Sequence, residues 1–143
     1  MGEGEVVMPA QGGNVALSLK NDILSKIETA IDPEKDKDGK AFSDVAEKTG
    51  QLLKESGVTV TQIRKVFTEV KRLSPEDANY KYKLKLLKAK LAYTAGRFNK
   101  MKDFQEIINK ALPVAEKSPE ALNRFKDFFE AAVAYHKYFG GKE

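Results

Sequence analysis

The chain has 143 residues, 41% hydrophobic and 32% charged, with a formal net charge of +4 at pH 7 and no cysteine. These values predict one globular domain that is small for a self-contained enzyme, and the missing thiols exclude disulfides and thiolate metal sites. The acidic, glycine-rich start and the short apolar runs match neither a signal peptide nor a membrane span, so we expect a cytoplasmic protein without membrane contact.

Helical periodicity of the apolar residues predicts an all-α protein whose first helix covers residues 14–31. We expect residues 1–13, which include four glycines, to form a disordered tail, and residues 14–141 to form a single helical-bundle domain. Pro33 ends the first helix because proline disfavours helical geometry in the residue before it. The charged segment that follows, residues 34–40, is predicted to be a solvated loop.

Local signals mark the ends of the next two helices. The second helix is predicted over residues 41–55 and ends at Gly57, since glycine is the residue that most often follows a helix. The third helix begins at a capping box, in which Thr59 and Gln62 satisfy each other's backbone amides. Its apolar stripe repeats at helical spacing, and we find no strand pattern anywhere in the chain.

Three more helices complete a compact bundle of five or six. The fourth is predicted to begin at Glu76 or Asn79 and to reach Phe98, and the fifth covers residues 102–117. The sixth begins at Ser118, a capping residue that is followed by a proline, and it ends at the final glycine pair.

Positive charge is concentrated in the third and fourth helices. Residues 62–102 carry twelve basic and three acidic side chains, a net charge of +9 within a chain of +4, and residues 79–102 contain no acidic residue. A surface that collects one sign of charge is typical of phosphate binding. The other interpretation is that these lysines only keep amphipathic helices in solution.

The candidate phosphate-binding residues occur at helical spacing on these two helices. Arg64 and Arg97 are the strongest candidates, because the chain has only four arginines and a guanidinium suits bidentate contact with phosphate. The supporting candidates are Lys65, Lys71, Arg72, Lys81, Lys88 and Lys90.

The fourth helix is apolar on two opposite sides. One stripe, which includes Leu84, Leu87 and Leu91, is the expected core face. The second stripe consists of Tyr82, Leu86, Ala89 and Tyr93. An apolar face of this kind has to be buried, so we expect it to be covered either by the terminal helix or by another subunit, through self-association or docking in a larger assembly.

No pattern in the chain indicates catalysis or a bound cofactor. The acidic loop is similar to the start of an EF-hand, but Val45 stands where the twelfth position needs a bidentate glutamate. His136 is the single histidine, which leaves no zinc site and no Cys–His or Ser–His pair, and we predict that it is a partly buried packing residue. We therefore expect no metal, no cofactor and no enzymatic activity.

Three strings of residues occur in an order that is typical of one protein family. They are TQIRKVF from Thr61, LKLLKAKLAYTAGR from Leu84, and FFEAAVAYHK from Phe128, the last followed two residues later by Gly140 and Gly141. They resemble the Q-I-R motif, the L-x-x-x-L-A-Y-x-x-x-R helix and the closing aromatic helix of the small subunit of type III-A CRISPR effector complexes. The resemblance extends from about residue 41 to residue 141.

The resemblance implies a non-catalytic helical subunit that stacks along guide and target RNA beside other subunits of the complex. On this basis the eight basic candidates are RNA-binding residues, with Arg64 and Arg97 foremost. The second apolar face of the fourth helix is then a subunit interface, used in filament stacking or in a homodimer. The alternative is a helical homodimerisation or scaffold module that does not bind nucleic acid directly.

Overall fold

The computed structural model describes residues 11–143, and within them it contains helices, turns and loops but no strand. The helices are α1 (Gln11–Ile31), α2 (Lys40–Glu55), α3 (Val60–Lys71), α4 (Tyr80–Arg97), α5 (Lys102–Ala115) and α6 (Pro119–Tyr138), and a 3₁₀ turn (Asn99–Met101) joins α4 to α5. The predicted all-α single domain is confirmed. No helix in this part of the chain is both long and apolar enough to span a membrane.

The start of α1 differs from the prediction. The helix begins at Gln11, three residues before the expected start at residue 14. The rest of the predicted tail, residues 1–10, lies outside the described residues.

The capping signals fix the starts of α3 and α6 as predicted. The hydroxyl oxygen of Thr59 accepts a hydrogen bond from the Gln62 amide at 3.2 Å, and the Thr59 amide donates to Gln62 Oε1 at 2.9 Å. The Ser118 hydroxyl accepts from the Ala121 amide at 3.0 Å, with Pro119 in the first turn. These bonds satisfy amides that have no partner inside the helix.

Four helices form the centre of the bundle, and α3 and α4 pack on them and add buried residues such as Ile63 and Leu91 to the same core. α1 packs against α2 and α5, and α6 packs against α2 and α5, so that these four helices enclose one apolar interior. α3 lies on α6, α4 lies on α5, and the two outer helices contact each other. Phe67 of α3 stacks on Phe129 of α6 with ring centroids 5.8 Å apart, which ties the outer layer to the core.

A glycine sets how closely α2 approaches α6. Gly50 is buried in the middle of α2, and a Cβ atom there would overlap Cβ of Tyr135 and backbone atoms of α6. The two helices therefore pack with their backbones in contact, which only glycine permits at this position.

The loop before α2 is not simply solvated, and the prediction is wrong at Asp36. This residue is only 6% exposed. Its carboxylate accepts hydrogen bonds from the amides of Ala41 and Phe42, both at 2.9 Å, and so caps the start of α2. Arg124 of α6 donates to the same carboxylate at 2.9 Å and to the Ala30 carbonyl at 3.1 Å. One ion pair thus joins α1, α2 and α6.

The C-terminal residues are held against the start of α3. His136 is completely buried, more than predicted, and its Nε2 lies 2.7 Å from the Val58 carbonyl, to which it donates. Gly141 packs on the imidazole ring so closely that a Cβ atom would overlap it. The Val60 amide donates to the Lys142 carbonyl at 2.8 Å, so the tail also caps α3.

Candidate nucleic-acid interface

The outer helices α3 and α4 form the two walls of a surface groove. Three adjoining stretches of this groove share residues along its length, and side chains of both helices line it. The basic residues that line it are Lys65, Arg72, Lys83, Lys90 and Arg97.

Helical geometry explains why these cations meet. Lys83, Lys90 and Arg97 lie seven residues apart, which places them in one row along α4, and Lys65 and Arg72 form the equivalent row on α3. Lys90 Nζ lies 2.8 Å from Oε1 of Glu69 on α3, which shows that the row on α4 faces the neighbouring helix. The groove thus has cations on both walls.

Glu69 is the acidic residue between the two rows. Its Oε2 lies 3.2 Å from Nη1 of Arg72, while its Oε1 holds Lys90. The hydrogen bond from Lys90 lowers the pKa of Glu69 although partial burial opposes this, and the nearby Arg72 charge contributes to the same effect. An ionised glutamate therefore neutralises part of the groove's positive charge.

Two of the predicted basic residues lie on the opposite side of α4. Lys81 and Lys88 are about 180° around the helix from Lys90. The side on which they lie faces the junction of α5 and α6, since the neighbouring Lys85 Nζ lies 3.0 Å from both carboxylate oxygens of Glu116. The structure therefore separates Lys81 and Lys88 from the groove.

Arg64 and Lys71 also lie outside the groove, on the far side of α3. Lys71 Nζ stands 5.2 Å from the centroid of the Phe67 ring. Arg64 lies towards the C-terminal end of the chain. Hydrogen bonding to Lys137 lowers the pKa of the Glu143 side chain, and the charge of Arg64 lowers it further.

Four of the eight predicted residues, Lys65, Arg72, Lys90 and Arg97, thus line one groove.

The charge of α4 is less one-sided in the structure than in its sequence. Acidic residues from outside the helix bind three of its lysines: Asp77 binds Lys83, Glu116 binds Lys85, and Glu69 binds Lys90. Among residues 11–143, Lys65 and Arg97 form no ion pair, so their charges are the most available in the groove.

The second apolar stripe of α4 is exposed to solvent. Tyr82 is 64% exposed, Leu86 41% and Tyr93 68%, and Ala89 between them is exposed as well. The terminal helix α6 packs elsewhere, so it does not cover this face. Leu86, Ala89 and Tyr93 also line the groove, which places an apolar surface directly beside the cations.

One groove residue, Lys83, was not among the candidates selected from the sequence, although its spacing of seven from Lys90 was a usable signal. Within residues 11–143 there is also no group of three or more acidic or histidine side chains arranged to hold a metal ion. The lysines and arginines that line the groove offer electrostatic attraction for an anion, and Tyr93 offers a ring for stacking.

Comparisons with known proteins agree on one family. The family model described as Csm2 Type III-A matches residues 36–142. A protein of Streptococcus thermophilus, named "CRISPR system Cms protein Csm2", is 31% identical to the chain over 113 residues, which cover 71% of this chain and 93% of that protein. No solved structure matches.

Proposed function

The chain belongs to the Csm2 family of type III-A CRISPR systems, and from that membership we propose that it is a non-catalytic small subunit that binds RNA in the α3–α4 groove. The observation that carries this proposal is the pair of facing cation rows. Lys65 and Arg72 stand on one wall, opposite Lys83, Lys90 and Arg97 on the other.

The row of cations on α4 is long enough to follow a strand of RNA. From Lys83 to Arg97 the chain advances by 14 residues, which corresponds to about 21 Å of helix, enough to follow several consecutive phosphates. Lysine and arginine contacts to phosphate release counterions and do not read the base sequence. Binding in this groove is therefore tolerant of sequence and depends on salt, and base pairing between guide and target supplies the specificity.

The exposed apolar face of α4 is proposed as the contact with a neighbouring subunit. Isolated exposed hydrophobic residues are ordinary, but four on one face of a helix, at spacings of three and four residues, form a patch that association would bury. Because Leu86, Ala89 and Tyr93 also border the groove, a neighbour on this face would lie beside the bound RNA.

A matched pair of double variants tests the position of the RNA. The variant Lys65→Gln/Arg97→Gln removes two groove cations, whereas Lys81→Gln/Lys88→Gln removes two from the opposite side of α4. All four residues are exposed and form no ion pair among residues 11–143, so neither variant should alter the fold. We expect only the groove variant to weaken binding of single-stranded RNA, measured by fluorescence anisotropy at several salt concentrations, and to reduce the salt slope by about 1.4.

Equal loss of affinity in both variants would mean that the RNA does not follow the groove. Wild-type protein that shows no affinity for RNA at low salt would contradict the proposed function itself. The result would then favour the second candidate, a helical homodimer or scaffold module, which the exposure of Tyr82 and Tyr93 supports. In that case light scattering should show a dimer that the substitutions Tyr82→Glu and Tyr93→Glu dissociate.

A further inference from the structure

A second basic cleft lies beyond the end of α4. It has a cavity volume of about 350 Å³, and three lysines that are distant in sequence line it: Lys54 at the end of α2, Lys100 in the 3₁₀ turn, and Lys142 in the C-terminal tail. None of its lining residues is acidic. None of these lysines was a candidate from the sequence, because only the fold brings them together.

Main-chain hydrogen bonds hold the tail that carries Lys142. The Gly141 amide donates to the His136 carbonyl at 2.8 Å, and the Lys142 carbonyl accepts from Val60 at 2.8 Å. Gly57 has a φ of +79°, a conformation that favours glycine, and the side chain of Lys100 passes over it. The fold therefore holds two segments that line the cleft, the C-terminal tail and the turn at Gly57.

The positive charge of this cleft is largely uncompensated. Lys54 has Glu55 at 3.6 Å, and neither Lys100 nor Lys142 has an ion-pair partner within residues 11–143. The first amides of α3 are already bonded to the tail and to Thr59, so the lysine ammonium groups supply the attraction for an anion. Three like charges around one cleft repel each other, and a bound anion relieves this repulsion.

The cleft and one end of the groove are lined by residues that are neighbours along the chain. The last stretch of the groove is lined by Thr61 of α3 and by Arg97 and Phe98 at the end of α4. The cleft begins two residues further along each segment, at Thr59 and Lys100. Lys100 is therefore the first basic residue after Arg97 along the chain, and it lines the cleft.

We propose that the cleft formed by Lys54, Lys100 and Lys142 is a phosphate-binding site that takes the RNA strand after it leaves the α3–α4 groove. The proposal rests on the proposed function, because it assumes that RNA occupies the groove. It adds a distinct prediction: the cleft contributes only when the RNA is long enough to reach both sites.

The test uses the full chain and two homopolymeric RNAs of about 4 and about 16 nucleotides, the limits of common single-strand site sizes. The variant Lys54→Gln/Lys100→Gln/Lys142→Gln is compared with Lys35→Gln/Lys37→Gln/Lys117→Gln. The control removes the same charge from a cleft near the start of α6 that also contains acidic residues. Affinity is measured by anisotropy across a salt series, and circular dichroism checks that both variants remain helical.

We expect the cleft variant to bind the long RNA more weakly and to reduce the slope of log Kobs against log salt by up to about 2, with the short RNA unaffected. The control should retain the wild-type slope with both RNAs.

A cleft variant that matches the control on the long RNA overturns the cleft proposal, while loss of binding in Lys65→Gln/Arg97→Gln still supports the groove. Equal loss on both RNAs overturns it too, because the cleft would not then be a separate extension. Failure of the proposed function has a different result, since neither RNA would bind wild-type protein.

Discussion

At the scale of single residues, the ion pair between Asp36 and Arg124 has the widest structural effect. Asp36 caps α2 by accepting hydrogen bonds from two backbone amides. Arg124 donates hydrogen bonds to the side-chain carboxylate and to the main-chain carbonyl of Asp36. Arg124 also stands 5.5 Å from the centroid of the Phe42 ring. Removing one member of such a buried pair leaves the other charge without compensation.

We therefore expect Asp36→Asn to lower the free energy of unfolding by about 3 kcal/mol, as is typical when one partner of a buried ion pair is lost. Urea denaturation at neutral pH would measure this. The matched control is Asp38→Asn, two residues away in the same loop, where the aspartate is exposed and accepts one hydrogen bond, from the Lys40 amide at 3.2 Å. Similar losses in the two variants would show that Asp36 is not the anchor of the loop.

The same residue predicts how stability depends on pH. Burial tends to raise the pKa of Asp36, but the hydrogen bonds from Ala41, Phe42 and Arg124 together outweigh it and lower the pKa below the ordinary value. Its contribution to stability is therefore complete above the unfolded pKa of about 3.9 and is lost as pH falls through the lower folded value. Wild-type protein should lose more stability than Asp36→Asn when the pH falls below about 4.

At the scale of elements, the groove is defined by how α3 and α4 share charges. Glu69 of α3 holds Lys90 of α4 and Arg72 of its own helix. Such exposed pairs contribute little to stability, but the carboxylate competes with a phosphate for both cations. The groove is therefore basic and partly self-neutralised.

Glu69→Gln should increase RNA affinity at low salt and steepen the salt dependence, because Lys90 and Arg72 become free to bind phosphate. The expected change in unfolding free energy is under about 1 kcal/mol, since the lysine and arginine of these pairs are mostly exposed. Glu47→Gln on α2 is the control, as it adds the same charge at an exposed site on another helix. An equal gain in affinity for both variants would indicate a general charge effect rather than a groove effect.

At the scale of the whole molecule, four core helices support the outer pair that forms the groove. The contact between α2 and α6 at Gly50 is close, because a Cβ atom there would overlap Tyr135 and the backbone of α6. It also places the end of α6, and so His136 and the C-terminal tail, against the start of α3. A change at Gly50 should therefore affect the position of the outer layer as well as the core.

Gly50→Ala should destabilise the protein by about 1–3 kcal/mol, because the added methyl group overlaps Tyr135 and the helices must separate. Thermal unfolding followed by circular dichroism would measure this. Gly96→Ala in α4 is the control, since nothing lies within 4 Å of its added Cβ atom and alanine is the better helix former. If Gly50→Ala is as stable as wild type, the close contact between α2 and α6 is not required.

The sequence by itself determined the helical fold and most helix ends, because capping residues, prolines and apolar spacing act within a few residues of chain. It also determined which side of α4 enters the core, and three strings of residues identified the family.

The tertiary structure alone decided that Lys65, Arg72, Lys83, Lys90 and Arg97 share one groove, while Arg64, Lys71, Lys81 and Lys88 do not. It likewise decided that Glu69 and Glu116 pair with lysines of α4, that Asp36 is buried, and that three distant lysines share a cleft. The physical reason is that charges interact through space over a few ångströms, and only the packing of helices against each other sets those distances.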